Sequence, residues 1–167
     1  MIIRLAGVVK ESIVDGPGLR YTIFVQGCPH GCAGCHNPHT HDFAGGYLAD
    51  TDGLFADIRK NPLLSGVTYS GGEPFCQCGP LYELGLRLRD AGYHIMTYTG
   101  YTFEGLLAGA NEENGFARLL AVTDILVDGP FELEKRNLLL KFRGSDNQRI
   151  LNCQESLNQH KAVPADI

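Results

Sequence analysis

The chain has 167 residues, is 44% hydrophobic and 20% charged, and carries a net charge of -5. That fits one compact domain and argues against a nucleic-acid partner, because phosphate neutralisation needs clustered lysine and arginine. No stretch pairs a basic start with a long apolar run or reaches the length of a bilayer crossing, so a cytoplasmic protein without a membrane partner is expected. In that compartment the six cysteines read as reduced thiols, some of them metal ligands, and not as a disulfide framework.

In chain order, the start IIRLAGVV is expected to add an outer strand, and RYTIFVQG, Arg20 to Gly27, is a buried strand by its β-branched and aromatic content. Thr51 or Asp52 caps a helix whose Leu54, Phe55 and Ile58 share a face and whose end Pro62 limits. GVTYSGGEP gives a short strand interrupted by Gly71 and Gly72. Pro80, Leu81, Leu84 and Leu88, with Gly92 beyond, have the spacing of an amphipathic helix that begins at proline and stops at glycine.

Tyr93 to Gly100 is the next strand, followed by two short helical patterns around Leu106 and Leu119. Asp124 to Pro130 and Gln148 to Cys153 are the last strand candidates, and residues 156–167 form a polar tail expected to be flexible. Strands that alternate with helices imply mostly parallel pairing with right-handed crossovers. A closed eight-stranded barrel needs about 250 residues, so the α/β fold expected over residues 1–155 is a partial, open (β/α) barrel. Ligands of such folds sit beyond the carboxyl ends of the strands.

Three cysteines lie in QGCPHGCAGCHNPHT after the Arg20 strand: Cys28, Cys32 and Cys35. Closed iron-sulfur and zinc sites use four ligands, so three on one loop leave a position open. One reading supplies the fourth ligand from His30, His36, His39 or His41 and makes a Cys3His zinc site. Zinc sites usually draw ligand pairs from separated segments, however, and no distant Cys-x2-Cys partner exists here.

The spacing Cys-x3-Cys-x2-Cys on a loop after a strand resembles the signature of the radical S-adenosylmethionine (SAM) enzymes. The resemblance implies one 4Fe-4S cluster on Cys28, Cys32 and Cys35, with its fourth iron free to chelate the amino and carboxylate groups of SAM. SGGEP, Ser70 to Pro74, is similar to the family's SAM-binding motif, which puts Gly71, Gly72 and Glu73 at the amino group. The aromatic residue common before the last cysteine is replaced by Gly34, so Gly34, Cys35 and His36 are expected simply as neighbours of SAM. Thr97 and Thr99 are candidate contacts to ribose or carboxylate, or ordinary strand threonines.

SIVDGPGLRYTIFVQGCPHGCAGCHNP and DILVDGPFELEKRNLLLKFRGSDNQRIL resemble the activating proteins of anaerobic (class III) ribonucleotide reductase. That implies a glycyl radical installed on the reductase catalytic subunit, a protein substrate, and a low-potential electron donor such as flavodoxin or ferredoxin. The alternatives are activation of another glycyl radical enzyme, a different radical SAM reaction, or a zinc or electron-transfer module without enzymatic activity. Asp15 to Gly18 read as a tight turn, Asp128 as a turn former or a contact to SAM or the partner, and Arg143 and Arg149 as groups for the SAM carboxylate, for docking or for the solvated surface. Cys76, Cys78 and Cys153 lack the ligand set of a second cluster and read as small buried side chains.

Overall fold

The computed structural model describes residues 1–167 and turns the apolar start into a long strand, β1 (Ile2–Ser12), followed by β2 (Arg20–Val25). A short strand without a clear sequence signal, β3 (Tyr47–Asp50), leads directly into α1 (Thr51–Arg59). Asp50 caps that helix, in place of the expected Thr51 or Asp52, because its carboxylate is the one that reaches the Asp52 amide, at 2.8 Å. Then come β4 (Gly66–Gly71), α2 (Cys78–Asp90), β5 (His94–Tyr98), α3 (Phe103–Gly109), α4 (Phe116–Val122), β6 (Ile125–Asp128), β7 (Arg149–Asn152) and α5 (Cys153–Gln159). Helix α2 starts two residues before Pro80, which is tolerated because the first turn leaves its amides unbonded within the helix.

The seven strands form one sheet in the order β3-β1-β2-β4-β5-β6-β7. Neighbours from β2 through β6 pair in parallel, while β1 pairs antiparallel with both β2 and β3, and β7 antiparallel with β6. Strand β3 therefore shares the direction of β2, and only β1 and β7 run the other way. The end strands β3 and β7 do not meet, so the sheet is open. The expected mostly parallel, partial barrel is what forms, with β1 lying one strand inside the edge.

Side chains alternate across a strand, and the two faces of the sheet differ. Tyr21, Ile23, Val25, Val67, Tyr69, Ile95 and Leu126 join Ile58, Leu81, Leu84, Leu88, Leu106, Leu119 and Leu120 of the helices in one buried cluster. The opposite parity is polar at its centre. Arg20, Thr22 and Thr68 are buried there and bonded to one another or to the Asp15 turn.

The tail, expected to be loose, folds back along the last strand. The Asn152 amide donates to the Val163 carbonyl at 2.8 Å and the Ala165 amide to Ile150 at 2.9 Å. These bonds cover an edge that would otherwise offer unpaired backbone groups.

Candidate active site

The parallel strands β2, β4, β5 and β6 end on one side, and the segments that follow them enclose a cavity of about 640 Å³. Cys28, Cys32, Cys35 and His36 face it from the loop after β2, Gly71 and Gly72 from the end of β4, Thr99 and Gly100 from the end of β5, and Gly129 from the end of β6. The long segment between β6 and β7 closes another side with Phe131, Phe142, Arg143 and Gln148.

Backbone hydrogen bonds hold the cysteine loop against the sheet. The Gly27 amide donates to Thr40 at 2.6 Å, the Cys28 amide to His41 at 3.2 Å and the Cys35 amide to Cys32 at 3.2 Å. On the other side, the Gly72 amide donates to Val25 and the Glu73 amide to Gly27, each at 2.8 Å. Gly71 is in the left-handed region, at φ 96°, and a Cβ there would lie 2.5 Å from the Val25 backbone nitrogen. The glycine pair is therefore needed for the close approach of the two loops as well as for an unobstructed cavity wall.

Burial raises the pKa of the Cys28 thiol; the His30 backbone amide opposes it, and the Glu73 carboxylate and the Cys32 and Cys35 thiols, with smaller effects, raise it further. Thiolates gathered this closely repel one another, and the positive charge of bound iron offsets that repulsion. The Asn37 amide lies 3.4 Å from Cys35 Sγ as a donor. Amide donors to sulfur are among the groups that tune the potential of an iron-sulfur centre.

Glu73 takes a different position from the one expected for a group reaching a ligand. Its side chain is fully buried and its carboxylate accepts from the Phe75 amide at 2.9 Å, the Gly100 amide at 2.8 Å, the Thr99 hydroxyl at 2.9 and 3.0 Å, and His30 Nε2 at 2.6 Å. Glu73 thus ties β4 to β5 and to the cysteine loop, and leaves Gly71 and Gly72 as the wall. Thr99 faces the cavity, but its hydroxyl proton goes to Glu73.

Thr97 is on the helix side of the sheet, where its hydroxyl meets Thr123 Oγ1 at 2.9 Å, and the intervening Tyr98 faces the cavity instead. Strand parity is the signal that separates the two. Gly34 packs against Leu133, 2.8 Å from where a Cβ would stand, while Cys35 and His36 beside it line the cavity. His30 and Phe24, beside the cysteines in sequence, and Phe131 and Gln148, from the distant segment between β6 and β7, also line the cavity.

The two arginines part company. Arg149 is bonded to Asp128 and to Glu104, at 2.9 Å from Nε to Asp128 Oδ1 and 2.7 Å from Nη2 to Glu104 Oε1. Asp128 is fully buried, and neither partner of that pair lines the cavity. Arg143 lines the cavity, donates from Nη1 to the Gln148 carbonyl at 2.6 Å, and keeps a buried Nε without a partner.

A family model described as a 4Fe-4S single cluster domain matches residues 14–151. The solved structure of QueE from Escherichia coli aligns over 61% of this chain and 54% of its own, with a TM-score of 0.47 and 24% identity. The anaerobic ribonucleoside-triphosphate reductase-activating protein of Vibrio cholerae is 34% identical over 147 residues, 83% of this chain and 91% of that protein. Its counterpart in Escherichia coli K12 is 33% identical over 145 residues, covering 82% and 90%, and that of Enterobacteria phage T4 is 31% identical over 158 residues, covering 89% and 94%. This chain belongs to that family of activating proteins.

As a member of the family, the protein has a donor set that fits one 4Fe-4S cluster. Three free thiols from one loop, Cys28, Cys32 and Cys35, face a shared cavity with Gly71 and Gly72 opposite. No three or more His, Cys, Asp or Glu side chains are arranged to hold a single metal ion. Of the histidines weighed as a fourth zinc ligand, His30 is bonded to Glu73 and His36 packs on Phe131 at 5.1 Å between ring centroids.

The chain's other cysteines lie outside the cavity lining. Cys78 and Cys153 are buried, which pushes both thiols up to about 12 and keeps them protonated. Cys76 is exposed. No helix is long and apolar enough to cross a membrane.

Proposed function

We propose that the protein is a radical SAM activating enzyme that generates a glycyl radical on anaerobic ribonucleoside-triphosphate reductase. The observation that carries this reading is the three-thiol loop at the carboxyl end of β2, facing Gly71 and Gly72 across one cavity, in a chain that is 34% identical over 147 residues to a named activating protein. Residues 1–155 act on this reading as one radical SAM domain. The reaction takes place in the cytoplasm with a donor such as flavodoxin or ferredoxin.

When bound, a 4Fe-4S cluster and SAM would supply one-electron, radical-generating chemistry directed at a glycine. The chain's own residues anchor, orient and shield. Cys28, Cys32 and Cys35 would hold the cluster, and Gly71 and Gly72 would let the amino group of SAM approach the backbone. Arg143 supports the carboxylate, with its unpaired Nε as the available donor. A cavity of about 640 Å³ is of cofactor size, and positioning inside it supplies much of the rate.

The open sheet also fits a polypeptide substrate. Val14 and Leu140 line the cavity, and their sequence neighbours Ile13 and Leu139 are 75% and 93% exposed, giving the opening an apolar rim. A peptide loop can enter on that side, which a closed barrel would block.

The test is anaerobic reconstitution with iron and sulfide, reduction, and mixing with SAM and the anaerobic reductase. About four irons per chain, 5′-deoxyadenosine by chromatography and a glycyl radical by electron paramagnetic resonance are expected, all lost in Cys28→Ala, Cys32→Ala and Cys35→Ala. Colourless, zinc-loaded protein that leaves SAM intact would overturn the reading.

A further inference from the structure

His30 stands between Cys28 and Cys32 in sequence, yet its side chain leaves the cysteine loop and reaches the opposite wall. Its Nε2 lies 2.6 Å from Glu73 Oε1, with the histidine side chain 15% and the glutamate 0% exposed. The other donors to Glu73 come from backbone amides and the Thr99 hydroxyl, so the carboxylate acts as acceptor and Nε2 carries the hydrogen.

Two further features seat the ring. Tyr101 meets it in a T-shaped contact, with centroids 4.6 Å apart and planes at 77°. Gly100 lies directly beneath it, where a Cβ would come within 2.4 Å of His30 Cδ2. Gly100 also donates its amide to Glu73 at 2.8 Å, so one glycine both makes room for the ring and binds its partner.

We infer that His30 is a positioning residue, which pins the cluster-binding loop to the ends of β4 and β5 through Glu73. The inference rests on the proposed cluster site. The backbone bonds hold only the start of the loop, Gly27 to Thr40 and Glu73 and Cys28 to His41, whereas the His30–Glu73 bond is a side-chain link from the stretch between two thiols to the SGGEP segment. Removing it leaves the three thiols present, and Cys28 still held by backbone bonds, but lets Cys32 drift relative to Cys28, Gly71 and Gly72. The buried Glu73 oxygen also loses one of its donors.

The experiment compares wild type, His30→Ala, His30→Gln and Gly100→Ala after anaerobic reconstitution. Glutamine can place a side-chain N–H near the position of Nε2, and Gly100→Ala unseats the ring without altering His30 itself. Iron release to a chelator is followed by absorbance, and the resonance signal of the reduced cluster is recorded before and after SAM is added. Thermal melts of the iron-free proteins identify any variant that fails to fold.

Groups that orient metal ligands typically contribute about 10- to 100-fold in metal affinity. His30→Ala and Gly100→Ala are therefore expected to release iron at least about tenfold faster and to weaken the SAM-induced spectral change, while His30→Gln stays near wild type. Wild-type release rates in His30→Ala, or a His30→Gln variant as impaired as His30→Ala, would overturn the inference. Wild type that takes up no cluster would instead remove the underlying functional reading, so the two failures are distinguishable.

Discussion

Arg149 and Asp128 face each other as register partners across the β6–β7 ladder, and the arginine grips both carboxylate oxygens. Asp128 Oδ2 also accepts the amide of Phe103, the first residue of α3, at 2.7 Å, while Arg149 reaches Glu104 beside it. One ion pair therefore fixes the start of α3 to the end of β6, directly behind the cavity. Replacing Arg149 by Leu strands a carboxylate whose side chain is 1% exposed. A loss of about 3 kcal/mol is expected, the lower part of the range for breaking a buried pair, since Arg149 itself keeps some contact with water. Chemical denaturation measures it, and an unchanged midpoint would show that the pair contributes nothing net.

Under the sheet, Arg20 Nη2 lies 3.1 Å from His94 Nδ1. Arginine has only donors, so the imidazole nitrogen must accept and the ring must be neutral. Burial first, and the Arg20 charge second, hold the His94 pKa below its ordinary 6.5, with Arg89 acting the same way and Asp124 opposing. The unfolded chain thus takes up the proton more readily than the folded one. The stabilisation is complete above the ordinary histidine range and is lost as pH falls through it toward the lowered folded value. The melting temperature is expected to fall between about pH 7.5 and about pH 5.5, and His94→Gln to flatten that slope. Identical slopes for both proteins would assign the pH dependence elsewhere.

Gly72 is bounded by the Gly27 carbonyl oxygen, 2.3 Å from where a Cβ would stand, and by the Thr40 carbonyl oxygen at 2.9 Å. Both neighbours are backbone of the segment that carries the cysteines, so they cannot swing aside as a side chain can. Gly72→Ala should cost about 1–3 kcal/mol and lower the iron retained after reconstitution. Full iron content in this variant would indicate that the cysteine loop tolerates displacement.

Arg143 and Arg149 looked alike in sequence and separate in one measurement. If Arg143 Nε supports the SAM carboxylate, Arg143→Met removes a charge-assisted bond and weakens SAM binding by about tenfold or more, with little change in stability. Arg149→Leu should do the reverse. Equilibrium dialysis with labelled SAM on the reconstituted proteins provides the comparison, and equal SAM affinity of wild type and Arg143→Met would remove Arg143 from the site.

Local chemistry was enough to place most elements. The Arg20 strand, the β4 strand broken by Gly71 and Gly72, and the helix through Leu81, Leu84 and Leu88 appear where periodicity and turn residues put them. β3 escaped notice because its residues are mostly exposed and it is held by pairing with β1, a contact across more than forty residues. Thr97 stays open in the sequence because a threonine at a strand end looks the same whichever face it occupies; alternation from Ile95, buried against the helices, puts Thr97 with them and Tyr98 in the cavity.

By itself the sequence determined the donor set, three thiols spaced on one loop after a strand, because ligand type and close spacing are properties of a short segment. What the tertiary structure decided is how distant groups share that loop's surroundings: Glu73 turned inward to His30 and Thr99, Arg149 given to Asp128, Arg143 left facing the cavity. The reason is physical. A buried polar group must find its partners within hydrogen-bond reach, and which groups come within reach depends on strand order and face, which no single segment contains.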